Sequence, residues 1–504
     1  MLFNSYGFLV FFPLVCLIFF VVPKRYQYIW LLIASYFFYM CWNARYALLL
    51  LFSTAVTWCC ALVTDALSRR EAAEDSADSR EKYRKLKRGA VALNFVLTLS
   101  ILFFYKYFDF AVYNINQVLA RFSFELAVPE FDIILPVGIS FYTFQALGYS
   151  VDVYRGDVKV ERNFLRYALF VSFFPQLVAG PIERSRSLLR QVNEEHSFDY
   201  DRMRDGLLLM LWGYFLKLVI ADRAAIFVDM VYSDIGAFGG WYLIVASALF
   251  AVQIYCDFAG YSIIAMGAAK VMGFELMENF NCPYFSSSVA GFWRNWHISL
   301  TSWFRDYLYI PLGGSRKGKP CKYANVMAVF LISGLWHGAS WHYVLWGGIN
   351  GAYQVLGEML RPVKDRLCSW FKVKRDSLGH KLGRVIATFI LVDIAWVFFR
   401  APSLSAAVRI FESMLTVHNP WILFDGSLYA AGLSEKSFGV LLLAIAILGL
   451  ADLAKYRGVR LRALITGQNI WVRWSVYLAS VMFVLIFGIW GAAFDASSFI
   501  YFQF

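Results

Sequence analysis

The chain has few of the residues that build soluble folds and cofactor sites, and each shortage removes a class of function. Only 16% of its 504 residues are charged, too few to solvate the surface of a globule of this size. Eight cysteines are scattered mostly through apolar runs with no CxxC spacing, so neither a disulfide framework nor a zinc site is indicated. No HExxH or carboxylate–histidine spacing points to another metal. No nucleophile elbow of the GxSxG kind and no alternating α/β pattern appears, so no hydrolase-like catalytic domain is expected. A repeat period is absent too, which removes solenoids and arrays.

What is present in excess is apolar surface. Hydrophobic residues make up 60% of the chain, 48 of them phenylalanine, and the mean hydropathy is +0.55. These values specify an all-α polytopic membrane protein. The net charge of +12 falls in short clusters between apolar runs, a distribution that the positive-inside rule explains and nucleic-acid binding does not. The strongest cluster, residues 69–88, holds eight Lys/Arg against five Asp/Glu and reads as a cytoplasmic polar loop. Counting back over apolar runs at 46–63, 28–39 and 8–22 puts the N-terminus outside and Lys24 and Arg25 inside. The 8–22 run has no basic n-region and no small-residue cleavage site, so it reads as a retained span. About ten or eleven crossings are expected, with re-entrant pieces at 134–157 and 170–191, where Pro136, Gly138, Gly148, Pro175, Gly180 and Pro181 interrupt apolar sequence.

The chemistry concentrates in 283–351. On a helical wheel through 292–306, Arg294, His297, Thr301 and Arg305 share one narrow face and the aromatic residues take the other. That wet face is expected to line an internal cavity, because guanidinium groups facing lipid are costly. His337 follows, flanked by Gly334 and Gly338 at a spacing that lets helices approach closely. The two histidines are expected to face one another. Two histidines so placed suit proton-transfer chemistry, which needs a base and, where an oxyanion develops, a donor to it. His337 suits the base; His297 or Asn295 could orient it or serve as that donor. Each histidine could instead make a structural hydrogen bond. Arg294, Arg305 and Asp306 could form an ion-paired scaffold or attract donor phosphates. The 315–319 cluster could anchor the chain at the inner surface or meet the nucleotide end of a donor. Asp257 reads as a lone acid in an apolar run, held by a structural hydrogen bond rather than lining the cavity. His342, five residues past His337, is expected about 140° round the helix and away from the cavity. His196, His380 and His418 are expected in solvated connectors.

Six stretches together carry a family resemblance: LPVGISFYTFQ (135–145), FPQLVAGPIER (174–184), YCDFAGYS (255–262), ENFNCPYFSSSVAGFWRNWHISLTSWFRDYLYIPLGG (278–314), GLWHGASW (334–341) and the ending FIYFQF. The chain resembles the membrane-bound O-acyltransferases, in the branch of alginate O-acetyltransferase subunit I and the peptidoglycan O-acetyltransferases. The resemblance implies one domain over 1–504, with peripheral helices over 1–130, a catalytic core over 131–400 and C-terminal helices over 401–504 around a tunnel. It implies His337 as the catalytic histidine and His297 as its partner. Arg294, Asn295, Trp296, Thr301, Arg305, Asp306 and Trp336 are then expected along the donor tunnel. It also implies an acyl thioester donor such as acetyl-CoA with no bound cofactor or metal, and an extracytoplasmic polysaccharide acceptor. An SGNH-hydrolase-like partner acetyltransferase and a bacterial inner-membrane location complete the expectation. A teichoic-acid D-alanyltransferase is the nearer alternative. A transporter is the farther one, and it would require an internal pseudo-symmetry that the sequence does not show.

Overall fold

The structure, a computed structural model, describes residues 1–124, 135–178 and 180–490; the sequence ending FIYFQF lies outside them. Every regular element among these residues is helical. Six helices are each long and apolar enough to cross a membrane: Ala44–Ala73, Ala77–Lys106, Trp241–Val271, Leu378–Arg400, Glu435–Tyr456 and Ile470–Phe487. Shorter helices make up the other regular elements among the described residues, among them the apolar Tyr6–Val21. The protein is therefore a multi-pass membrane protein.

Polar side chains set many of the helix starts. Asn43, Asn163, Ser288, Ser377, Ser403, Ser434 and Asn469 each accept a hydrogen bond from a backbone N–H of the first turn, which satisfies donors that have no partner inside the helix. In lipid such donors have no water to turn to.

The chain divides into two compact units, residues 1–207 with 265–277, and residues 208–264 with 278–504. In the first, the Ala44–Ala73 and Ala77–Lys106 helices run through the expected polar loop, leaving only 74–76 as a linker. The charged stretch is rich in Ala, Arg, Glu and Lys, which favour helix. Cross-links between the two helices reinforce it, with Glu71 paired to Lys87 at 2.5 Å and to Arg84 at 3.4 Å. The interrupted stretch at 134–157 contains one uninterrupted helix, Ile139–Arg155, most of whose residues are buried. Gly138 starts it in the left-handed conformation, where a Cβ would meet the Leu177 carbonyl at 2.4 Å. Gly148 does not break it. The stretch at 170–191 is broken as expected, into Phe164–Ser172, Phe174–Leu177 and a π-helical turn at Ser185–Leu189. His196 is buried rather than solvated: its ring packs 4.1 Å from Phe274, and its Nε2 lies 2.9 Å from the Gln191 carbonyl.

The second unit contains every histidine of the candidate site. Its framework is an antiparallel hairpin of Gly318–His337 and Trp341–Met359. The hairpin is close-packed because glycines face backbone across it. A Cβ on Gly334 would lie 2.2 Å from the Tyr343 carbonyl oxygen, and one on Gly347 would lie 2.2 Å from that of Phe330. Gly338 makes the turn possible, since a Cβ there would fall 2.2 Å from the Tyr343 ring.

Candidate active site

Residues 292–306 do not form one helix. Val289–Asn295 ends before Trp296, which is extended, and His297 is left-handed, with φ 43° and ψ 54°, before Ile298–Phe304 begins. The break has a backbone cause. Asn281 N–H donates to the Asn295 carbonyl and Ile298 N–H to the Asn279 carbonyl, both at 3.0 Å, so the 279–281 segment pairs with the chain on either side of His297. A histidine at positive φ is uncommon and carries a conformational cost, of a kind that collects at functional sites.

The break scatters the expected wet face. His297 is 1% exposed, whereas Arg294 and Arg305 are exposed. Arg305 lies in a π-helical turn, Arg305–Tyr309, and is paired with Asp306 at 2.8 Å. The two arginines therefore do not line a buried stripe with His297. Thr301 is half-buried and donates to the Trp296 carbonyl at 3.3 Å. Asn295 donates to Ser286 Oγ at 3.1 Å. Trp296 is buried among Phe280, Phe292 and Trp396, at 5.0, 5.2 and 5.1 Å.

What the fold does bring together is the pair of histidines, through one tryptophan. The Trp336 ring lies 6.2 Å from that of His297 and 5.0 Å from that of His337. His337, 5% exposed, has Trp346 edge-on at 5.1 Å and Phe399 at 5.5 Å. Trp346 stacks in turn on Trp396, and Trp336, Trp346 and Phe399, from three helices, wall the imidazole. On the other side Phe258 meets His297 edge-on at 4.6 Å. Trp293 Nε1 donates to Asn350 at 3.1 Å and fastens Val289–Asn295 to the hairpin. His342 belongs to the second helix of the hairpin, so the 140° separation from His337 does not apply. It is buried, with its ring 4.1 Å from Tyr343 and its Nδ1 2.8 Å from Ser340 Oγ, and it braces the turn. Among the described residues no group of three His, Cys, Asp or Glu side chains is arranged to hold a metal ion.

Two features of this unit escaped the sequence reading. Asn279 holds the chain after the break at His297, accepting from the Ile298 N–H with its carbonyl and from the Ser299 N–H with its side chain. Asp257 is not a lone acid: Lys217 pairs with it at 2.6 Å and with Asp222 at 2.8 Å, all three buried. A lysine within an apolar run, five residues before an aspartate, was the signal available for that cluster.

Residues 159–391 match the model of MBOAT, the membrane-bound O-acyltransferase family. The chain is 35% identical over 463 residues to the probable alginate O-acetylase AlgI of Azotobacter vinelandii, covering 90% of this chain and 86% of that protein. The chain belongs to the membrane-bound O-acyltransferase family. This acyltransferase is also 32% identical to the peptidoglycan O-acetyltransferase of Helicobacter pylori, over 77% of the chain and 73% of that protein. Similarity to the teichoic acid D-alanyltransferase of Bacillus subtilis is 29% and covers 44% of the acyltransferase. The site described above falls largely within the family match, with Trp396 and Phe399 beyond its end.

Proposed function

We propose that the protein is a membrane O-acetyltransferase that takes an acetyl group from a cytosolic thioester, acetyl-CoA, and passes it to a hydroxyl on the extracytoplasmic side. The eventual acceptor is a cell-envelope or secreted polysaccharide of the alginate or peptidoglycan kind. The chain over 1–504 works as one catalytic domain in the bacterial inner membrane, with its N-terminus outside. An SGNH-hydrolase-like acetyltransferase outside receives the group and completes delivery. The observation that carries this reading is the burial of two imidazoles on either side of Trp336, in a chain whose relatives over most of its length are named O-acetylases and O-acetyltransferases.

His337 serves as general base. It accepts the proton of the acceptor hydroxyl as the oxygen attacks the thioester carbonyl. The tetrahedral intermediate collapses with cleavage of the carbon–sulfur bond, the thiolate takes up a proton, and ester and free thiol result. The aromatic wall of Trp336, Trp346 and Phe399 excludes water, so that hydrolysis does not compete. His297 acts beside it, with Asn295, Trp296 and Thr301 shaping the donor tunnel. The exposed Arg294 and Arg305, with the half-buried Asp306, belong to the mouth of the tunnel, where guanidinium groups meet the phosphates of coenzyme A.

Inverted membrane vesicles containing the protein and an SGNH-type partner test the direction of transfer. Labelled acetyl-CoA added outside the vesicles should place label on an acceptor in the lumen. Label appearing only on hydrolysed acetate, or only when a carrier-protein D-alanyl thioester is supplied, would contradict the proposal.

A further inference from the structure

Asn279 stands where three hydrogen bonds determine the protonation of a neighbouring ring. Its side chain is 1% exposed. Its Oδ1 accepts from the Ser299 backbone N–H at 3.2 Å, and its Nδ2 donates to Ser262 Oγ at 3.0 Å. The Ser299 N–H can only donate, so the oxygen of the amide must be the atom on that side, and the amide cannot be flipped. The same Oδ1 lies 3.4 Å from His297 Nδ1. An oxygen cannot donate, so in the neutral ring Nδ1 must carry the proton. Rotation of the ring is opposed by Phe258, edge-on at 4.6 Å, and by Trp336.

We infer that Asn279 is a positioning residue that holds neutral His297 with its proton on Nδ1 and so makes Nε2 the nitrogen with the lone pair. An unconstrained imidazole prefers the opposite tautomer, so the asparagine selects the less common one. The consequence for the reaction is specific. Neutral His297 cannot polarise a carbonyl through Nε2; that nitrogen can take over the proton that His337 removes from the acceptor hydroxyl and give it to the departing thiolate, so one proton passes from hydroxyl to thiol and both rings end neutral. This rests on the reading that the two histidines serve acyl transfer, and the test separates the two claims.

Protein labelled with ¹⁵N-histidine and reconstituted in nanodiscs reports which nitrogen is protonated, independently of turnover. Subtracting the spectrum of His297→Gln identifies the His297 signals. The expected result is a protonated Nδ1 in the parent and a shift toward Nε2 protonation in Asn279→Ala. Because Asn279→Ala also leaves the Ser299 N–H without an acceptor, Asn279→Asp provides a second variant that keeps one. Its carboxylate should favour the imidazolium and move the acid limb of the pH–rate profile to higher pH. In folded Asn279→Ala, kcat should fall about 10- to 100-fold while KM for acetyl-CoA changes less than about threefold, the pattern for an interaction used in the transition state. A parent His297 protonated on Nε2, or a tautomer unchanged in Asn279→Ala, would overturn the inference. Full turnover in His297→Gln would overturn instead the catalytic reading beneath it, whatever the spectrum shows.

Discussion

Lys217 shows how a single side chain can hold a membrane protein's interior together without touching the reaction. It is surrounded by two carboxylates at 2.6 and 2.8 Å and is as buried as they are. Taking charges out of water is expensive, and their mutual attraction only offsets that cost when the set is complete. Lys217→Met should therefore strand two buried carboxylates and lower stability by about 3–5 kcal/mol, read as a lower thermal denaturation midpoint in detergent. Adding Asp222→Asn and Asp257→Asn should recover most of the loss. A single Lys217→Met variant as stable as the parent would show that the cluster does not hold charge as described. At this scale the sequence was legible in identity and not in contact. His297, His337 and Trp336 stood out as polar or aromatic residues in an apolar chain, and the Trp336 ring lies within 6.2 Å of both imidazoles. Arg294 and Arg305 stood out equally and are exposed, because the wheel that grouped them with His297 assumed a continuous helix. The interruption depends on pairing with residues 279–281, a contact that no periodicity within 292–306 encodes.

Between helices, the glycines of the GLWHG hairpin determine where the catalytic candidate sits. Gly347 faces the Phe330 backbone, and an added methyl would lie 2.2 Å from its carbonyl oxygen. Backbone cannot move aside as a side-chain tip can, so Gly347→Ala should force the two helices apart and displace Trp346 from His337. Gly357 lies near the end of the same helix with nothing within 4 Å of its would-be Cβ, so Gly357→Ala should be neutral or stabilising by up to about 1 kcal/mol, the helix propensity difference. Comparing thermal midpoints and turnover of the two variants checks the hairpin geometry, and equal effects would refute it. The close-approach spacing of Gly334 and Gly338 could be read from sequence; the backbone contact of Gly347 could not. The placement of His342 on the second helix could not, because Gly338, Ala339 and Ser340 form a turn that continuous helical counting ignores. The burial of His196 was hidden for the same reason: a polar-looking connector folds back under Phe274.

For the whole molecule, composition alone settled the class, and the charged cluster at 69–88 carries the proposed orientation. The structure turns that cluster into a helical hairpin rather than a loop, without altering its charge. A cysteine placed at Ser79 in a cysteine-depleted variant should be protected from an impermeant thiol reagent in intact cells and react after permeabilisation. Labelling in intact cells would reverse the proposed topology. The fold class and the family motifs were visible because membrane burial demands long apolar helices with few exceptions. The division of the chain into two compact units was not visible, since residues 265–277 join the first unit although the chain around them belongs to the second.

The central claim is that His337 is the general base of acyl transfer, and one comparison tests it most directly. His337→Ala and His418→Ala are reconstituted in nanodiscs, and transfer from labelled acetyl-CoA is measured beside donor binding and thermal stability. His418 is exposed and serves as the control; the buried His342 would not. The account predicts that His337→Ala folds and binds donor but loses about 10²- to 10⁴-fold in rate, while His418→Ala transfers at the parent rate. Near-parent transfer by folded His337→Ala would contradict the account and leave GLWHG as a helix-packing motif.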